Sequence, residues 1–440
     1  MESRKGVAHA ARIALGVVGL AGVVLACGRS SAPPSMAKKQ ADESVTIAAA
    51  LNNTQVRSGA TTEVLARITV EAHDVPRRSR PPVNLALVVD TSGSMEGRAI
   101  EDARAASAAL VDSLSSDDRL AVVVFHSKTE VLLPATQLRD ADMSDVRKKL
   151  RGMKAEGTTD MSQGLAAGIA EVSKNLDADG INRVILLGDG VPNEQASIEP
   201  MARAAGARGI SVTALGLGAD YNESLMGKVA QASGGRFHYV EDSTKVLAFF
   251  KEEVVRLQKA CAKNAVVELN PGPGVTVEGV IGQQISSTGR GVAVLLGDMA
   301  FGDKRELVVR LKVAPHKDGN AVELLDSVVR YTEPIGGAST ERRLFVGAHA
   351  TADASKVLAS KNDDVERSAA KAKEAAATLE EIQKARDSDR PGGSPRPSPP
   401  RAAAGGVPEL ASPAPVTAAP MEPAEQRRRH DQAMRTLQGE

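Results

Sequence analysis

The sequence predicts an α/β domain with a doubly wound, mainly parallel sheet, inserted in a β-sandwich and followed by a C-terminal helix and a disordered tail. Within residues 83–260, apolar strand-like runs alternate with segments of helical periodicity, the pattern of a parallel sheet with helices on both faces. Strand-like segments punctuated by Gly and Pro stand on either side, at 44–75 and 264–350. Because these flanks precede and follow the α/β region, we expect them to form one sandwich around it.

The α/β region is predicted element by element from its apolar periodicity. Its first strand, VNLALVVD at 83–90, has few polar interruptions, as expected for a strand that is covered on both faces. The other predicted strands are 119–125, 130–133, 183–187, 210–215 and 236–240. The predicted helices are 97–114, 142–150, 161–176, 197–207, 223–231 and 244–258. No G-x-G-x-x-G follows the first strand and no G-x-x-x-x-G-K-[ST] occurs, so the region carries no nucleotide-binding fingerprint.

The flanking segments show the alternation of half-buried strands. Two strands, 45–51 and 63–71, precede the α/β region, and PRRSRPP at 76–82 is predicted to be a stiff, basic hinge. Five strands follow the region, at 265–269, 275–280, 291–296, 305–313 and 324–331. Cys261, at the start of the second flank, is predicted to be a buried, small apolar residue.

The C-terminal part of the chain divides into three segments by composition. Residues 353–387 are predicted to be helical, with a capping-box pattern at 363–366 and a narrow stripe of Val365, Ala369, Ala372, Ala376 and Leu379. This segment is expected to pack on the sandwich or form a short helical hairpin, and a coil with a partner is the alternative. Residues 391–423 are rich in Pro, Ala, Ser and Gly and are predicted to be an extended, disordered linker. Residues 424–440 are predicted to form a short exposed helix, with the basic cluster at 427–430 on its solvated face.

The N-terminus has the pattern of a targeting segment. A basic start precedes an apolar run at 13–26, which is too short to span a bilayer comfortably but suits a secretory h-region. Val24-Leu25-Ala26-Cys27 resembles the lipobox of bacterial lipoproteins, in which the Cys becomes the lipidated first residue of the mature protein. The chain is therefore predicted to carry a lipoprotein signal peptide at 1–26, a lipid on Cys27 and a tether at 27–43. A plain signal peptide with an incidental Cys is the alternative.

The resemblance to lipoproteins also predicts where the protein resides. Gly28, rather than Asp, follows the Cys, which by the rule for bacterial lipoproteins indicates the outer membrane. We therefore expect a lipid-anchored protein of the cell envelope, on its periplasmic or surface face. The chain has 55 Lys and Arg against 55 Asp and Glu, so its formal net charge is zero and nothing in it calls for nucleic acid.

Five oxygen-bearing side chains are expected to converge at one edge of the predicted sheet. Asp90 ends the first strand, with Ser92 and Ser94 in the loop behind it, Thr159 opens a predicted helix, and Asp189 follows the strand at 183–187. In open α/β sheets, ligands gather outside the carboxyl ends of the strands, where the strand order reverses. Two carboxylates and three hydroxyls, without His or Cys, suit Mg²⁺, Mn²⁺ or Ca²⁺ rather than Zn²⁺.

Such a site would leave room for an external ligand. Mg²⁺ takes about six oxygens at roughly 2.0–2.1 Å and usually keeps water or another ligand. Because three to five protein groups do not fill that shell, the natural completing group is an Asp or Glu carboxylate from a protein partner. The sequence predicts such a protein partner without identifying it.

These motifs resemble those of the von Willebrand factor A (VWA) family. DTSGSM at 90–95 is similar to the D-x-S-x-S of its metal-ion-dependent adhesion site, Thr159 stands where the family has its metal-binding Thr, and Asp189 matches the later D-G. TALGLGADYNESLM at 213–226 and GGRFHYVED at 234–242 also resemble the bacterial branch. LGDMAFGDKRELVV at 296–309 and SKNDDVERSAAKA at 360–372 resemble secreted bacterial proteins that carry the domain within a β-sandwich.

The resemblance implies a Rossmann-like domain that binds a protein partner through a metal ion, in adhesion or complex assembly. The chain departs from the family at Thr158, where a Gly is usual, and at Gly188, where many relatives have Thr. The alternative is an envelope assembly or chaperone-like accessory protein in which the metal is structural only.

No enzymatic activity is predicted. No Ser is embedded in G-x-S-x-G, and Ser35-Met36-Ala37-Lys38 fits S-x-x-K only in the tether, with no S-D-N or K-T-G after it. The His residues show no ligand spacing, and His126 and His238, at the borders of strands, are expected to be packed or solvated rather than catalytic.

Overall fold

The computed structural model describes residues 44–73, 80–188, 192, 194–217, 222–240, 245–388 and 422–439. The predicted signal peptide, the lipidation site Cys27, the tether at 27–43 and the predicted metal ligand Asp189 lie outside the described residues, as does nearly all of the predicted linker at 391–423. None of the described helices is both long enough and apolar enough to cross a membrane.

Sixteen strands and nine α-helices lie in the described part of the chain. The strands are β1 (Val45–Leu51), β2 (Gln55–Arg57), β3 (Thr62–Ala72), β4 (Val83–Asp90), β5 (Arg119–Phe125), β6 (Thr129–Gln137), β7 (Ile181–Gly188), β8 (Ile210–Leu217), β9 (Phe237–Val240), β10 (Ala260–Pro271), β11 (Val275–Val280), β12 (Ser286–Ser287), β13 (Val292–Ala300), β14 (Lys304–Val313), β15 (Ala321–Thr332) and β16 (Ser339–Thr351). The helices are α1 (Arg98–Ser113), α2 (Met143–Arg151), α3 (Met161–Ser173), α4 (Ile198–Ala207), α5 (Glu223–Ser233), α6 (Val246–Gln258), α7 (Ala354–Ala359), α8 (Asp363–Ser388) and α9 (Pro423–Gln438).

The predicted α/β fold class is confirmed by a six-stranded sheet in the order β6-β5-β4-β7-β8-β9. Five of these strands run parallel, and β6 returns antiparallel to β5 at one edge. The chain moves from β4 to β5 and later crosses to β7 on the other side of β4, so the sheet is doubly wound around β4. The carboxyl ends of β4 and β7 are therefore neighbours at the point where the strand order reverses.

β4 is buried on both faces, as its nearly continuous apolar sequence predicts. Leu85, Leu87 and Val89 share one core cluster with α1 and α6. Ala86 and Val88 belong to the cluster on the opposite face, with α3, α4 and α5. Since successive side chains of a strand point to opposite faces, this single strand contributes to both cores of the domain.

The strands that flank the α/β domain form a sandwich of two sheets, ordered β1-β3-β14-β11 and β12-β13-β10-β15-β16-β2. β3 precedes the α/β domain and β14 follows it, yet the two strands pair from Glu71 with Lys304 to Thr62 with Val313. The chain therefore leaves the sandwich after β3 and returns to it at β10. Cys261 of β10 is buried in the sandwich core, as predicted.

The helical segment at 353–387 contains two helices. α7 ends at Ala359 and α8 begins at Asp363, and the intervening Asn362 donates its backbone N–H to the carbonyl oxygen of Asn52 over 2.7 Å. The buried residues of α8 are Val365, Ala369, Ala375 and Ile382, whereas Ala376 of the predicted stripe is only half-buried. Ala372 and Leu379 of the stripe are half-buried and pack against Ala375, so the predicted stripe departs from the observed one only at Ala376.

The C-terminal tail forms a helix, α9, as predicted, but one face of this helix is buried, so the prediction that it is exposed was wrong. Arg427 and His430, from the basic cluster expected to be solvated, are 4% and 2% exposed. Ala433 and Leu437 of α9 pack against Ala375 of α8. From sequence alone, a cluster of charged residues is expected at the surface, because burying a charge without partners is costly. Whether such partners are present depends on the tertiary fold.

A buried group of charges joins the α/β domain to the sandwich. Arg183 of β7 is 1% exposed, and its Nη2 donates to Oδ2 of Asp298 in β13 over 3.0 Å. Its Nη1 donates to Oγ1 of Thr213 over 3.2 Å, and that hydroxyl donates to Oε1 of Glu253 in α6 over 2.9 Å. Arg256, one turn further along α6, donates to Oδ2 of Asp303 over 2.5 Å. The helix that closes the α/β domain is thus bound to both the sheet and the sandwich.

The same junction brings two glycine backbones into contact. Gly234 ends α5 with φ +69°, and Gly297 lies in β13 with φ +73°. A Cβ on Gly297 would lie 1.7 Å from the carbonyl oxygen of Gly234. A side chain at either glycine position would clash with the other segment, so the α/β domain and the sandwich are in direct backbone contact here.

Burial and the junction charges shift the pKa values of His238 and Glu253. Burial, together with the nearby Arg236 guanidinium, lowers the pKa of His238 to about 3. The Nε2 atom of this ring is inaccessible and has no hydrogen-bond partner among the described residues. Burial would raise the pKa of Glu253, but Arg256, Arg183 and Arg236 together lower it to about 2.

His238 should make the fold sensitive to mild acid. Its pKa is lowered on folding, so below the unfolded value of about 6.5 the unfolded chain takes up a proton that the folded chain does not. The free energy of unfolding should therefore fall between pH 6.5 and 5 by up to about 1.4 kcal/mol per pH unit. This pH range lies above the ordinary Glu pKa of 4.5, below which the protonation of Glu253 begins to affect the free energy of unfolding. Urea denaturation at several pH values measures it.

The matched variants are His238→Gln and His349→Gln, the latter at an exposed position of β16. The first should flatten the slope between pH 6.5 and 5, and the second should leave it unchanged. An unchanged slope in His238→Gln would mean that another group causes the acid sensitivity.

Candidate functional site

Asp90 occupies the carboxyl end of β4, in the middle of the sheet. It pairs with Phe125 at the end of β5, and the preceding Val89 pairs with Leu187 near the end of β7. Its side chain is fully buried. β7 ends at Gly188, so the chain position of Asp189 directly follows the strand beside β4, although Asp189 itself lies outside the described residues.

The loop after β4 folds back on the Asp90 carboxylate. The backbone N–H of Ser92 donates to Oδ1 of Asp90 over 2.8 Å, and the hydroxyls of Ser92 and Ser94 lie 3.0 Å apart. Ser92 is buried while Ser94 is exposed. Met95, in the 3₁₀ turn Gly93–Met95, is fully buried in the core and anchors the loop. The carboxylate of Asp90 and the hydroxyls of Ser92 and Ser94 therefore follow one another from the buried core to the protein surface.

Backbone hydrogen bonds hold the turn that carries Thr159 against this loop. Gly93 N–H donates to the carbonyl of Gly157 over 3.0 Å, and Glu156 N–H donates to the carbonyl of Thr91 over 2.8 Å. Thr91 in turn donates both its N–H (2.8 Å) and its hydroxyl (3.1 Å) to the carbonyl oxygen of Phe125. Three loops at the carboxyl ends of β4 and β5 are thus tied together through their backbones.

Glycines let helix α3 approach the sheet closely behind this turn. A Cβ on Gly164 would lie 2.5 Å from the ring of Phe125, and one on Gly168 would lie 2.3 Å from Cγ2 of Val88. Residues four apart lie on one face of a helix, so both glycines face β4 and β5. This close packing sets the position of the α3 N-terminus, where Thr159 is 8% exposed and Asp160 caps the helix through Gln163 N–H.

Four of the five predicted site residues lie in these interlocked segments: Asp90, Ser92, Ser94 and Thr159. The sequence reasoning missed the residues that hold them, namely Thr91, Met95, Gly164 and Gly168. The glycines could have been found, because a G-x-x-x-G spacing in a predicted helix signals close packing. The role of Thr91 had no such signal, since it depends on the Phe125 carbonyl of the neighbouring strand.

The donor set fits a hard divalent cation. Among the described residues no three His, Cys, Asp or Glu side chains cluster as a metal site, and the candidate donors there are the Asp90 carboxylate and the hydroxyls of Ser92, Ser94 and Thr159. Carboxylate and hydroxyl oxygens suit Mg²⁺, Mn²⁺ or Ca²⁺ better than softer metals. Gly188 lies beside this carboxylate, and a Cβ there would be in ordinary van der Waals contact with Oδ2 of Asp90, at 3.4 Å.

Comparison with known proteins identifies the domain that carries this loop. Residues 84–252 match the family model of the von Willebrand factor type A domain. The α/β domain is a VWA domain. VWA domains are typically protein-interaction and adhesion modules, and they often bind a divalent metal ion. The family resemblance expected from DTSGSM is thereby confirmed.

Relatives of the chain include two bacterial proteins. The uncharacterised protein sll0103 of Synechocystis is 28% identical over 284 residues, which cover 62% of this chain and 66% of that protein. The uncharacterised protein YfbK of Escherichia coli is 27% identical over 219 residues, which cover 47% of this chain and 37% of that protein. The chain thus spans just under two thirds of the first relative and about a third of the second.

A solved structure shows the same fold over most of the chain. The von Willebrand factor type A protein from Catenulispora acidiphila superposes with a TM-score of 0.66, covering 80% of this chain and 84% of that chain. The sequence identity is 18%, so the likeness concerns the fold alone.

The close approach of α3 to the VWA sheet predicts the effect of one added methyl group. Gly168→Ala should destabilise the protein by about 1–3 kcal/mol through overpacking against Val88, although Ala favours a helix over Gly. Gly289→Ala is the matched control, because a Cβ at Gly289 meets nothing within 4 Å. Urea denaturation of both variants measures the difference. Equal stabilities would show that α3 can move away from the sheet without cost.

Proposed function

We propose that this chain is a cell-envelope lipoprotein whose VWA domain binds a protein partner through a divalent metal ion of the Mg²⁺ type. The observation that carries the proposal is the loop after β4, where Ser92 N–H binds the Asp90 carboxylate and the Ser92 and Ser94 hydroxyls lie 3.0 Å apart. This loop stands at the switch point of a doubly wound sheet, where such folds bind ligands.

Asp90, Ser92, Ser94, Thr159 and Asp189 would hold the ion, directly or through water. When bound, the ion supplies a positive charge with a vacant coordination position for an external oxygen. Two carboxylates roughly balance a divalent charge, and a carboxylate that acts only through water leaves the ion more attractive to an external anion. An Asp or Glu of the partner is the complementary group, because a carboxylate is both hard and anionic.

The proposed role is binding rather than catalysis. A hydrolytic site needs a nucleophile with a base in hydrogen-bond reach, and the sequence offers no such motif. Near the proposed site lies the ring of His126, whose Nε2 is 3.4 Å from Oε1 of the exposed Glu156. Binding a partner through a vacant coordination position requires no nucleophile or base. The lipid on Cys27 would keep the protein at a membrane surface.

Metal binding tests the site. Protein lacking residues 1–27 should bind Mg²⁺ or Mn²⁺ with a stoichiometry near one in calorimetry, and Asp90→Ala should abolish that binding. A ligand that binds only the folded state stabilises it by about 2.7 kcal/mol at a hundredfold excess over Kd, so the metal should also raise the Tm of wild type alone.

Asp112→Ala is the matched control, because it removes an exposed carboxylate of α1 that pairs only with Arg147 in the described structure. This variant should bind metal as wild type does. Equal metal binding by wild type and Asp90→Ala would remove Asp90 from the site. Partner capture that depends on Asp90 and is lost in chelator supports coordination, whereas capture unchanged in chelator would favour an assembly role with a structural metal.

The lipid anchor has an independent test. Cys27→Ala should move the protein from the membrane fraction to the soluble fraction, because the acylated residue is lost. Processing of the wild-type precursor should be sensitive to globomycin. A Cys27→Ala protein that still fractionates with membranes would contradict lipidation at this residue.

A further inference from the structure

The C-terminal helix α9 lies in a groove at the junction between the VWA domain and the sandwich. Its buried face consists of residues spaced by three and four: Arg427, His430, Ala433, Met434 and Leu437. The groove is bordered by α5 and β9 of the VWA domain, by β14 of the sandwich and by α8. α9 is joined to α8 through residues 389–421, which lie outside the described part of the chain.

Glycines shape the groove to fit these side chains. A Cβ on Gly227 of α5 would lie 3.0 Å from Cε1 of His430 and 3.4 Å from Sδ of Met434. A Cβ on Gly282 would lie 2.3 Å from Cδ2 of Leu437. Because Gly227 and Gly282 have no side chains, side chains of α9 occupy that space. A cavity of ≈ 30 Å³ remains beside Met434 and Leu437.

The VWA domain recognises the middle of α9 through β9, the edge strand of its sheet. The ring of His430 meets that of Phe237 edge to face, with centroids 5.1 Å apart. Oδ1 of Asp431 accepts the backbone N–H of Tyr239 over 3.0 Å, and its Oδ2 lies 2.9 Å from Nε of Arg435. A side chain of α9 thus takes up a backbone group that a further strand would otherwise bind.

The sandwich recognises the C-terminal end of α9. Gln283 donates Nε2 to the carbonyl oxygen of Leu437 over 2.7 Å, and Nη1 of the buried Arg305 donates to the carbonyl of Gln438. The last carbonyls of a helix have no partner within it and carry partial negative charge, so a guanidinium is a favourable partner. Gly439 closes the helix in the left-handed conformation, with φ +77°.

These contacts are those of a peptide bound to a receptor surface. An isolated helix of this length is marginally stable in water, so α9 depends on the groove for its helicity. We propose that the junction groove is a docking site for an amphipathic helix, and that residues 422–439 occupy it as an exchangeable ligand in the same chain. While docked, the helix covers the edge of β9 and clasps the VWA domain to the sandwich.

A nicked full-length protein tests this proposal. A specific protease site placed within residues 391–421 allows the tail to be cut after folding. The fragment should stay with the chain in size-exclusion chromatography and then exchange with a fluorescent synthetic peptide of residues 422–439, saturating at one peptide per chain. The uncut protein should bind the peptide far more weakly, because its own tail competes at an effective concentration on the order of mM.

Matched variants locate the contact on both sides. In the peptide, Met434→Asp changes a buried position and Gln432→Asp an exposed one. On the chain, Gly227→Leu fills the groove and Lys228→Leu alters the exposed neighbour on the same helix. Met434→Asp and Gly227→Leu should each weaken binding by roughly tenfold or more, as expected when a buried apolar contact is lost or blocked. The exposed variants should bind as wild type does.

Three results would overturn the proposal. The first is immediate loss of the fragment after cleavage, and the second is equal binding by the Met434→Asp and Gln432→Asp peptides. The third is an uncut protein that elutes as a dimer and dissociates when the peptide is added, which would make a second copy the occupant. None of these results bears on metal binding at Asp90, so this proposal and the proposed function fail separately.

Discussion

The structure depends on the junction at which an α/β domain interrupts a sandwich. β3 and β14 must pair although the whole VWA domain lies between them in sequence, so the domain has to stand at a fixed place beside both sheets. The buried Arg183–Asp298 pair meets this constraint, because breaking it would leave an unpartnered charge in the interior. Such a pair adds little net stability over apolar packing, but it penalises other arrangements.

The candidate site is held rigidly by the buried sheet and the loops around it. β4 is buried on both faces, so its carboxyl end, and with it Asp90, has little freedom to move. The loops that supply hydroxyls are bound to each other through backbone groups rather than through the donor side chains. These backbone hydrogen bonds hold the loops in place, so binding a cation would cost little reorganisation of the backbone.

Several ionisable groups are buried at the junction. Burial and neighbouring cations lower the pKa values of Arg305 and Arg236 to about 10 and about 9. Burial raises the pKa of Asp431 in α9, despite the opposing effect of Arg435. Apolar packing alone does not fix the relative orientation of two packed surfaces, whereas polar contacts of this kind do. They can therefore fix how the VWA domain, the sandwich and α9 pack together.

The amino-acid sequence by itself determined the α/β class, the strand that ends at Asp90 and the candidate positions Ser92, Ser94 and Thr159 in the loops around it. These features follow from local periodicity and from short motifs, which the chain expresses without reference to distant segments. Only the tertiary structure decided that Arg183 is buried against Asp298, that Thr91 binds the Phe125 carbonyl, and that α9 lies in a groove. The reason is physical: whether a charge or hydroxyl is solvated depends on which remote groups surround it, and those neighbours come together only when the chain folds.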